Sequence, residues 1–86
     1  MKEKIIDVEP KNAKDICEFL DKSYGCVGYG GGLKIFEKMY SEGISFRTID
    51  KNFLSGNFLK KYQIIIKSQE NFTSETLDKL IEMATN

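Results

Sequence analysis

Five glycines lie within eight residues of this chain, between positions 25 and 32. Because glycine adopts positive φ as readily as negative φ, such a segment opposes regular structure and is typical of a connection. The sequence therefore predicts a flexible loop here. This loop would separate an N-terminal strand and helix from the rest of the chain.

The residues before the glycine segment predict one strand and one helix. Residues 3–8 form a short β-branched run that ends before Pro10, as expected of a strand. From Asn12 onward, apolar residues recur at helical spacing until Gly25. We therefore expect a first helix over about residues 12–24, with Asn12 near its N-cap.

Residues 33–42 permit two interpretations. The segment is rich in helix formers, places Leu33, Phe36 and Tyr40 on one helical face, and ends at Gly43, which favours a second helix. The alternative is a strand over residues 33–40, joined to the next strand by the turn-forming residues 41–43. We prefer the helix and keep the strand as the open alternative.

The rest of the chain predicts two strands and a third helix. Residues 44–50 and 62–67 alternate apolar and polar side chains, so they should form a long hairpin whose tip lies between them. Thr73 is a good N-cap for the last helix, and Phe72 and Leu77 occupy the two positions of a hydrophobic staple.

These elements predict a single α+β domain over residues 1–86, in the order β-α-α-β-β-α. We expect two layers, with the helices packed on one face of a small, mostly antiparallel three-stranded sheet. No repeat, linker or second domain interrupts this order.

Composition excludes several classes of function. The chain has no histidine, which removes the usual general base and the commonest metal ligand. The 13 basic and 13 acidic residues cancel, and Arg47 is the only arginine, which disfavours nucleic acid as a partner. We expect no enzyme, no cofactor and no metal. A reactive Cys26 would be the exception, whereas Cys17 falls on the apolar stripe of the first helix.

The glycine segment also suggests two ligand classes. Backbone N–H groups before Lys34 could bind an anion, although a plain connection between two helices is the simpler interpretation. Residues 25–28 and 28–31 both fit the pattern G-x-x-G, and the predicted element order resembles a type I KH domain. The resemblance implies binding of single-stranded nucleic acid through Gly25, Gly28, Lys34 and Lys38, with Ile35 and Ile44 in the base groove.

The function that we expect from these features is stoichiometric binding to another protein, as a small regulator or inhibitor. The low content of Arg, Ala and Pro beside many Lys, Ile, Asn and Phe suggests an AT-rich microbial or mobile-element genome, so we expect a regulator of phage or mobile-element type. Aromatic and glycine residues at the two predicted tips are the candidate contacts, since aromatic side chains often anchor protein interfaces. These residues are Tyr29, Gly30, Gly31, Phe53, Leu54 and Phe58.

The N-terminal residues contain no apolar run typical of a signal peptide or a membrane span, so we expect a cytoplasmic protein that does not bind membranes. The partner's identity stays open. An exposed edge strand could also support a homodimer.

Overall fold

The computed structural model describes residues 3–50, 60–68, 70 and 72–86. These residues form five strands and two α-helices, with short 3-10 turns at Pro10–Asn12 and Ser41–Gly43. The elements in chain order are β1 (Lys4–Val8), α1 (Ala13–Tyr24), β2 (Cys26–Gly31), β3 (Ile35–Tyr40), β4 (Ile44–Asp50), β5 (Lys60–Ile66) and α2 (Ser74–Thr85).

All five strands belong to one antiparallel sheet with the order β1-β5-β4-β3-β2. The first strand therefore lies at one edge, and β2, which follows it in the chain after α1, lies at the other. Strands β4 and β5 form the centre of the sheet, where Phe46 lies opposite Ile64 and Ile44 lies opposite Ile66.

The hydrophobic core lies between one face of this sheet and the two helices. Side chains alternate between faces along a strand, so Ile64 and Ile66 share the helix-facing side. Apolar residues at helical spacing on α1 and α2 cover them. The fully buried members of this core are Ile16, Leu20, Ile44, Ile64, Ile66, Leu80 and Ala84.

The predicted three-stranded sheet and the order β-α-α-β-β-α are wrong, because residues 26–40 form the two strands β2 and β3. The preferred second helix over residues 33–42 does not exist, and the alternative strand is the correct interpretation. Phe36 and Tyr40 fit a helical spacing and also fit alternation by twos, so pattern alone could not separate them. Pairing of β3 with strands on both sides favours the extended form.

The turn between β3 and β4 is formed by residues 41–43, as the alternative strand over residues 33–40 requires. Glu42 and Gly43 both adopt positive φ, at 65° and 78°. A Cβ on Gly43 would lie 3.1 Å from Cβ of Ser68, and the Gly43 carbonyl oxygen accepts a hydrogen bond of 2.7 Å from the Lys67 N–H. Gly43 therefore fixes both the sharp turn and its contact with the end of β5.

The predicted flexible loop over residues 25–32 is also wrong, because most of it is the edge strand β2. Glycine has a weak intrinsic tendency to form strands, but sheet pairing overrides such tendencies. The Met39 side chain fills the space above two of the glycines: its Cε atom lies 3.4 Å and 3.7 Å from where Cβ atoms of Gly28 and Gly30 would stand. Packing of Met39 thus replaces the side chains that β2 lacks.

The other predicted elements have counterparts in the structure. The predicted first strand, first helix, central hairpin and last helix correspond to β1, α1, β4 with β5, and α2. Thr73 is the N-cap of α2, since its Oγ1 accepts a hydrogen bond of 3.1 Å from the Thr76 N–H. The predicted hairpin tip lies outside the described residues.

Candidate functional site

Exposed apolar side chains gather at the end of the hairpin formed by β2 and β3. Among the described residues, six large hydrophobic side chains are exposed, and five of them lie in this hairpin; the sixth is Ile5 on β1. We call the four that lie nearest the turn of the hairpin the hairpin end. They are Tyr29, Leu33, Ile35 and Phe36, with exposed fractions of 62%, 83%, 42% and 51%. Val27, which is 70% exposed, lies at the other end of the hairpin, where Cys26 pairs with Tyr40.

An aromatic pair lies on the helix-facing side of the hairpin end, beyond the area that the helices cover. Gly31 is the residue opposite Phe36, and Tyr29 lies two residues before it on the same face. Because Gly31 has no side chain, the two rings approach each other diagonally, with centroids 5.8 Å apart and planes inclined by 31°. Both rings remain more than half exposed.

A polar cluster connects this hairpin to helix α1. The Lys38 Nζ atom lies 2.6 Å from Oδ1 of Asp21, and the Tyr40 hydroxyl donates a hydrogen bond of 2.9 Å to the same oxygen. The Tyr40 hydroxyl also lies 3.6 Å from Sγ of Cys17. The Lys38 ammonium stands 5.9 Å from the ring centroid of Tyr29 and 5.5 Å from that of Tyr40. This cluster therefore orients the hairpin and places the Lys38 ammonium beside the Tyr29 ring.

Hydrogen bonding within the cluster shifts the ionisation of its members. The bond from Lys38, followed by the bond from Tyr40, lowers the pKa of Asp21 below its ordinary value. The same ion pair raises the pKa of Lys38. Burial, followed by the contacts with Cys17 and Asp21, raises the pKa of Tyr40. At neutral pH the cluster is a carboxylate, an ammonium and a neutral phenol, which is the combination that its geometry requires.

The outer edge of β2 carries backbone groups that have no partner among the described residues. The Gly32 N–H donates a hydrogen bond of 2.8 Å to the Ile35 carbonyl, and hydrogen-bonded and non-hydrogen-bonded pairs alternate along an antiparallel ladder. Gly28 and Gly30 consequently bond to β3, whereas Tyr29 and Gly31 direct their N–H and C=O groups away from the sheet. Among the described residues, β2 has a neighbouring strand on one side only.

The opposite face of the sheet holds a row of paired charges. Arg47 Nη2 lies 3.1 Å from Oε1 of Glu37, and Lys67 Nζ lies 3.6 Å from its Oε2. Further along the row, the Gln63 amide donates a hydrogen bond of 3.1 Å to Asp7. These polar groups are paired with one another, so this row is a weaker candidate for a binding surface than the exposed apolar side chains of the hairpin end.

A shallow depression of about 280 Å³ lies beside the hairpin end and includes Lys34, Thr48 and Asp50 in its lining. The Asp50 Oδ1 atom is buried without a hydrogen-bond partner among the described residues. Nowhere in the described ranges do three Cys, Asp or Glu side chains come together as a possible metal site.

The structure brings together three of the six predicted protein contacts. Tyr29, Gly30 and Gly31 follow one another on β2. The other three predicted contacts, Phe53, Leu54 and Phe58, lie outside the described residues. Sequence reasoning missed Leu33 and Phe36 as members of the surface and named Ile35 only through the KH resemblance, although the alternative strand over residues 33–40 would have placed Phe36 across from the glycine segment.

The residues of the KH resemblance have a different setting from the one the resemblance implies. Gly25 ends α1 with a φ of 68°, and Gly28 lies within β2, so neither G-x-x-G pattern forms a loop between two helices. Lys34 lies in the turn between β2 and β3, and Lys38 is paired with Asp21. The element order of a type I KH domain is thus contradicted, while binding of nucleic acid stays an untested prediction.

The two cysteines are free thiols in different surroundings. Cys17 is half-buried on α1, in agreement with its place on the apolar stripe, and Cys26 is exposed at the start of β2. The Cys26 Sγ atom lies 3.6 Å from the carbonyl oxygen of Gly28.

Comparisons with protein families, curated proteins and solved structures give no match to this chain. Within the described ranges, neither helix has the length and apolar character needed to cross a bilayer. The function must therefore be argued from the residues and their arrangement.

Proposed function

We propose that this protein is a stoichiometric regulator or inhibitor that binds another protein through the hairpin end. The observation that carries the proposal is the clustering of exposed apolar side chains: the tilted rings of Tyr29 and Phe36 pack against each other while each residue remains more than half exposed. The proposed setting is the cytoplasm, and a phage or mobile-element origin remains part of the hypothesis.

Exposing the apolar side chains of the hairpin end to water costs free energy, and a partner that covers them would remove this cost. Isolated apolar side chains are common on protein surfaces, but a contiguous patch with a polar rim is typical of an interaction site. At the hairpin end the rim is Lys34 in the turn and Lys38 beside the Tyr29 ring. An apolar centre with charges at its border is the usual anatomy of a protein interface.

The rigidity of the patch also favours binding. Tyr29 and Phe36 are held by a paired strand on one side, and Lys38 and Tyr40 attach that strand to Asp21 of α1. Aromatic side chains with few free torsions lose little conformational entropy when a partner covers them. The surface is therefore arranged before the partner arrives.

The test compares affinity capture from the native host by three forms of the protein. The wild type and the Tyr29→Ala/Phe36→Ala double variant differ only in the aromatic pair. Ile5→Ala is the matched control, because Ile5 is an exposed apolar residue, 53% accessible, on the far edge strand.

We expect one host protein to be enriched by the wild type and by Ile5→Ala and lost with the double variant. Purified partner should then bind the wild type at a one-to-one ratio in titration calorimetry. If every host protein captured by the wild type is captured equally by a folded double variant, the hairpin end is not the binding surface.

A further inference from the structure

We propose that β2 pairs with β2 of a second copy, antiparallel, across a two-fold axis at Gly30. The inference goes beyond binding of a different protein, because it concerns the strand edge and a second copy of this chain. Pairing of this kind would join two five-stranded sheets into one continuous ten-stranded sheet.

The occupant of this edge follows from the backbone groups that are left unpaired. Tyr29 and Gly31 each direct one N–H and one C=O outward, as the ladder with β3 requires. A row of such groups is satisfied by another extended strand. A two-fold axis that passes through Gly30 also places Tyr29 of each copy opposite Gly31 of the other.

The register is set by how many hydrogen bonds each position of the axis allows. With the axis at Gly30, Tyr29 of each copy pairs with Gly31 of the other, and all four outward donors are used. With the axis at Tyr29, Gly31 would meet Val27, where the pairing of β2 is irregular. With the axis at Gly31, Tyr29 would meet Leu33 in the hairpin turn. The axis at Gly30 is therefore preferred.

Side chains support the same register. Placing the Tyr29 ring opposite Gly31 of the second copy leaves room for it, since a glycine has no side chain there, and Phe36 of that copy lies beyond on the same face. Aromatic residues opposite glycines are a known means of stabilising such pairs. Gly31 cannot acquire a side chain of its own, because a Cβ there would collide with the Ile35 carbonyl oxygen.

Features that commonly protect an edge strand are missing from this stretch of β2. Residues 26–31 contain no charged residue and no proline. The register of the strand shifts between Cys26 and Gly28, and Gly31 has a φ of 141°, so the stretch that can pair with a second strand is short and centred on Gly30. The formal net charge is zero, so two copies do not repel each other as whole molecules.

The first experiment measures molar mass against concentration by sedimentation equilibrium. The wild type should rise from 9.9 kDa toward twice that mass. Tyr29→Pro removes one outward N–H per copy without removing a bond to β3, and should weaken the dimer by about tenfold or more. Tyr29→Ala, which keeps the N–H, is the control for loss of the ring and should dimerise more tightly than Tyr29→Pro.

The second experiment tests the position of the axis with charges. In this register a side chain at position 30 lies opposite the same side chain of the second copy. Gly30→Lys and Gly30→Asp each place two like charges there, and each should weaken dimerisation by about two- to fivefold at low salt. Mixing the two variants in equal amounts should restore it. Gly28→Lys is the control, because position 28 does not meet itself in this register.

Several results would overturn the proposal. A wild type that stays at 9.9 kDa at every accessible concentration would remove the dimer. Equal dimerisation of Tyr29→Pro and the wild type would show that the strand edge is not involved. Failure of the Gly30→Lys and Gly30→Asp mixture to exceed either variant alone would exclude the axis at Gly30, and this comparison holds even if both substitutions weaken the fold slightly.

Discussion

Removing the Tyr40 hydroxyl tests the polar cluster that attaches the hairpin to helix α1. In Tyr40→Phe the ring stays in the core, where Tyr40 is only 3% exposed, and the hydrogen bond of 2.9 Å to Asp21 is lost. Phenylalanine fills nearly the same space, so the change isolates the hydrogen bond from the packing. The 3.6 Å contact with Cys17 is lost as well.

The size of the effect follows from the exposure of the acceptor. A hydrogen bond to a charged group stabilises a fold by about 1.5–3 kcal/mol when both partners are shielded from water. The Asp21 side chain is 42% exposed and keeps its ion pair with Lys38, so water replaces part of what Tyr40 supplied. We therefore expect a loss of about 1 kcal/mol, which lowers the Tm of a domain of this size by about 4–8 °C.

The assay is urea unfolding at pH 7, followed by circular dichroism, on the wild type, Tyr40→Phe and Tyr24→Phe. Tyr24 is the matched control, because it is also partly buried against the core and does not belong to the cluster around Asp21. If Tyr40→Phe is no less stable than Tyr24→Phe, the hydrogen bond to Asp21 does not attach the hairpin in the way proposed.

Three further predictions concern single features of the fold. Because the folded-state pKa of Asp21 is lowered, the stability that its carboxylate contributes is complete above about pH 4 and is lost as the pH falls further. When stability is measured over this pH range, an Asp21→Asn variant should therefore lose less stability than the wild type. Gly31→Ala should destabilise the protein by about 1–3 kcal/mol in thermal unfolding, because φ is 141° there, whereas Gly32→Ala, with open space around it, should have a smaller effect. Thr73→Ala should cost about 1 kcal/mol through loss of the N-cap of α2, measured by urea unfolding, and Thr73→Ser should recover most of it.

The predictable part of the fold is the part in which local pattern and tertiary packing agree. Helices α1 and α2 have apolar stripes and clear terminal residues, and β4 and β5 alternate over most of their length, so sequence alone indicated their type and approximate bounds. These elements contribute the fully buried core on the helix-facing side. Their patterns are strong because each has one face in the core.

The hairpin of β2 and β3 escaped prediction because its stabilising contacts are not local. The glycines leave β2 without an alternation of apolar and polar side chains that would indicate a strand. The strand forms because β3 pairs with it and Met39 covers its glycines. In β3, Phe36 and Tyr40 suited a helix as well as a strand. Assigning a loop and a helix here also removed two of the five strands from the predicted sheet.

The same error affected the candidate site. Tyr29 is a predicted contact because it is an aromatic residue at a predicted loop tip, and it does lie on the exposed surface of the hairpin. The preferred helix over residues 33–42 places Phe36 on a helical face with Leu33 and Tyr40, so its contact with Tyr29 does not follow from that prediction. A surface that forms across two strands becomes visible in a sequence only after the strand register is known.

Both proposals depend on the hairpin of β2 and β3, and the dimer depends in addition on β2 being an open edge. Residue-resolved amide hydrogen exchange tests the open edge directly in dilute protein, where copies remain separate. We expect slow exchange at Gly28 and Gly30, which bond to β3, and fast exchange at Tyr29 and Gly31. Protection of the latter two amides should rise with protein concentration. Equal and strong protection of all four amides in dilute protein would contradict this expectation.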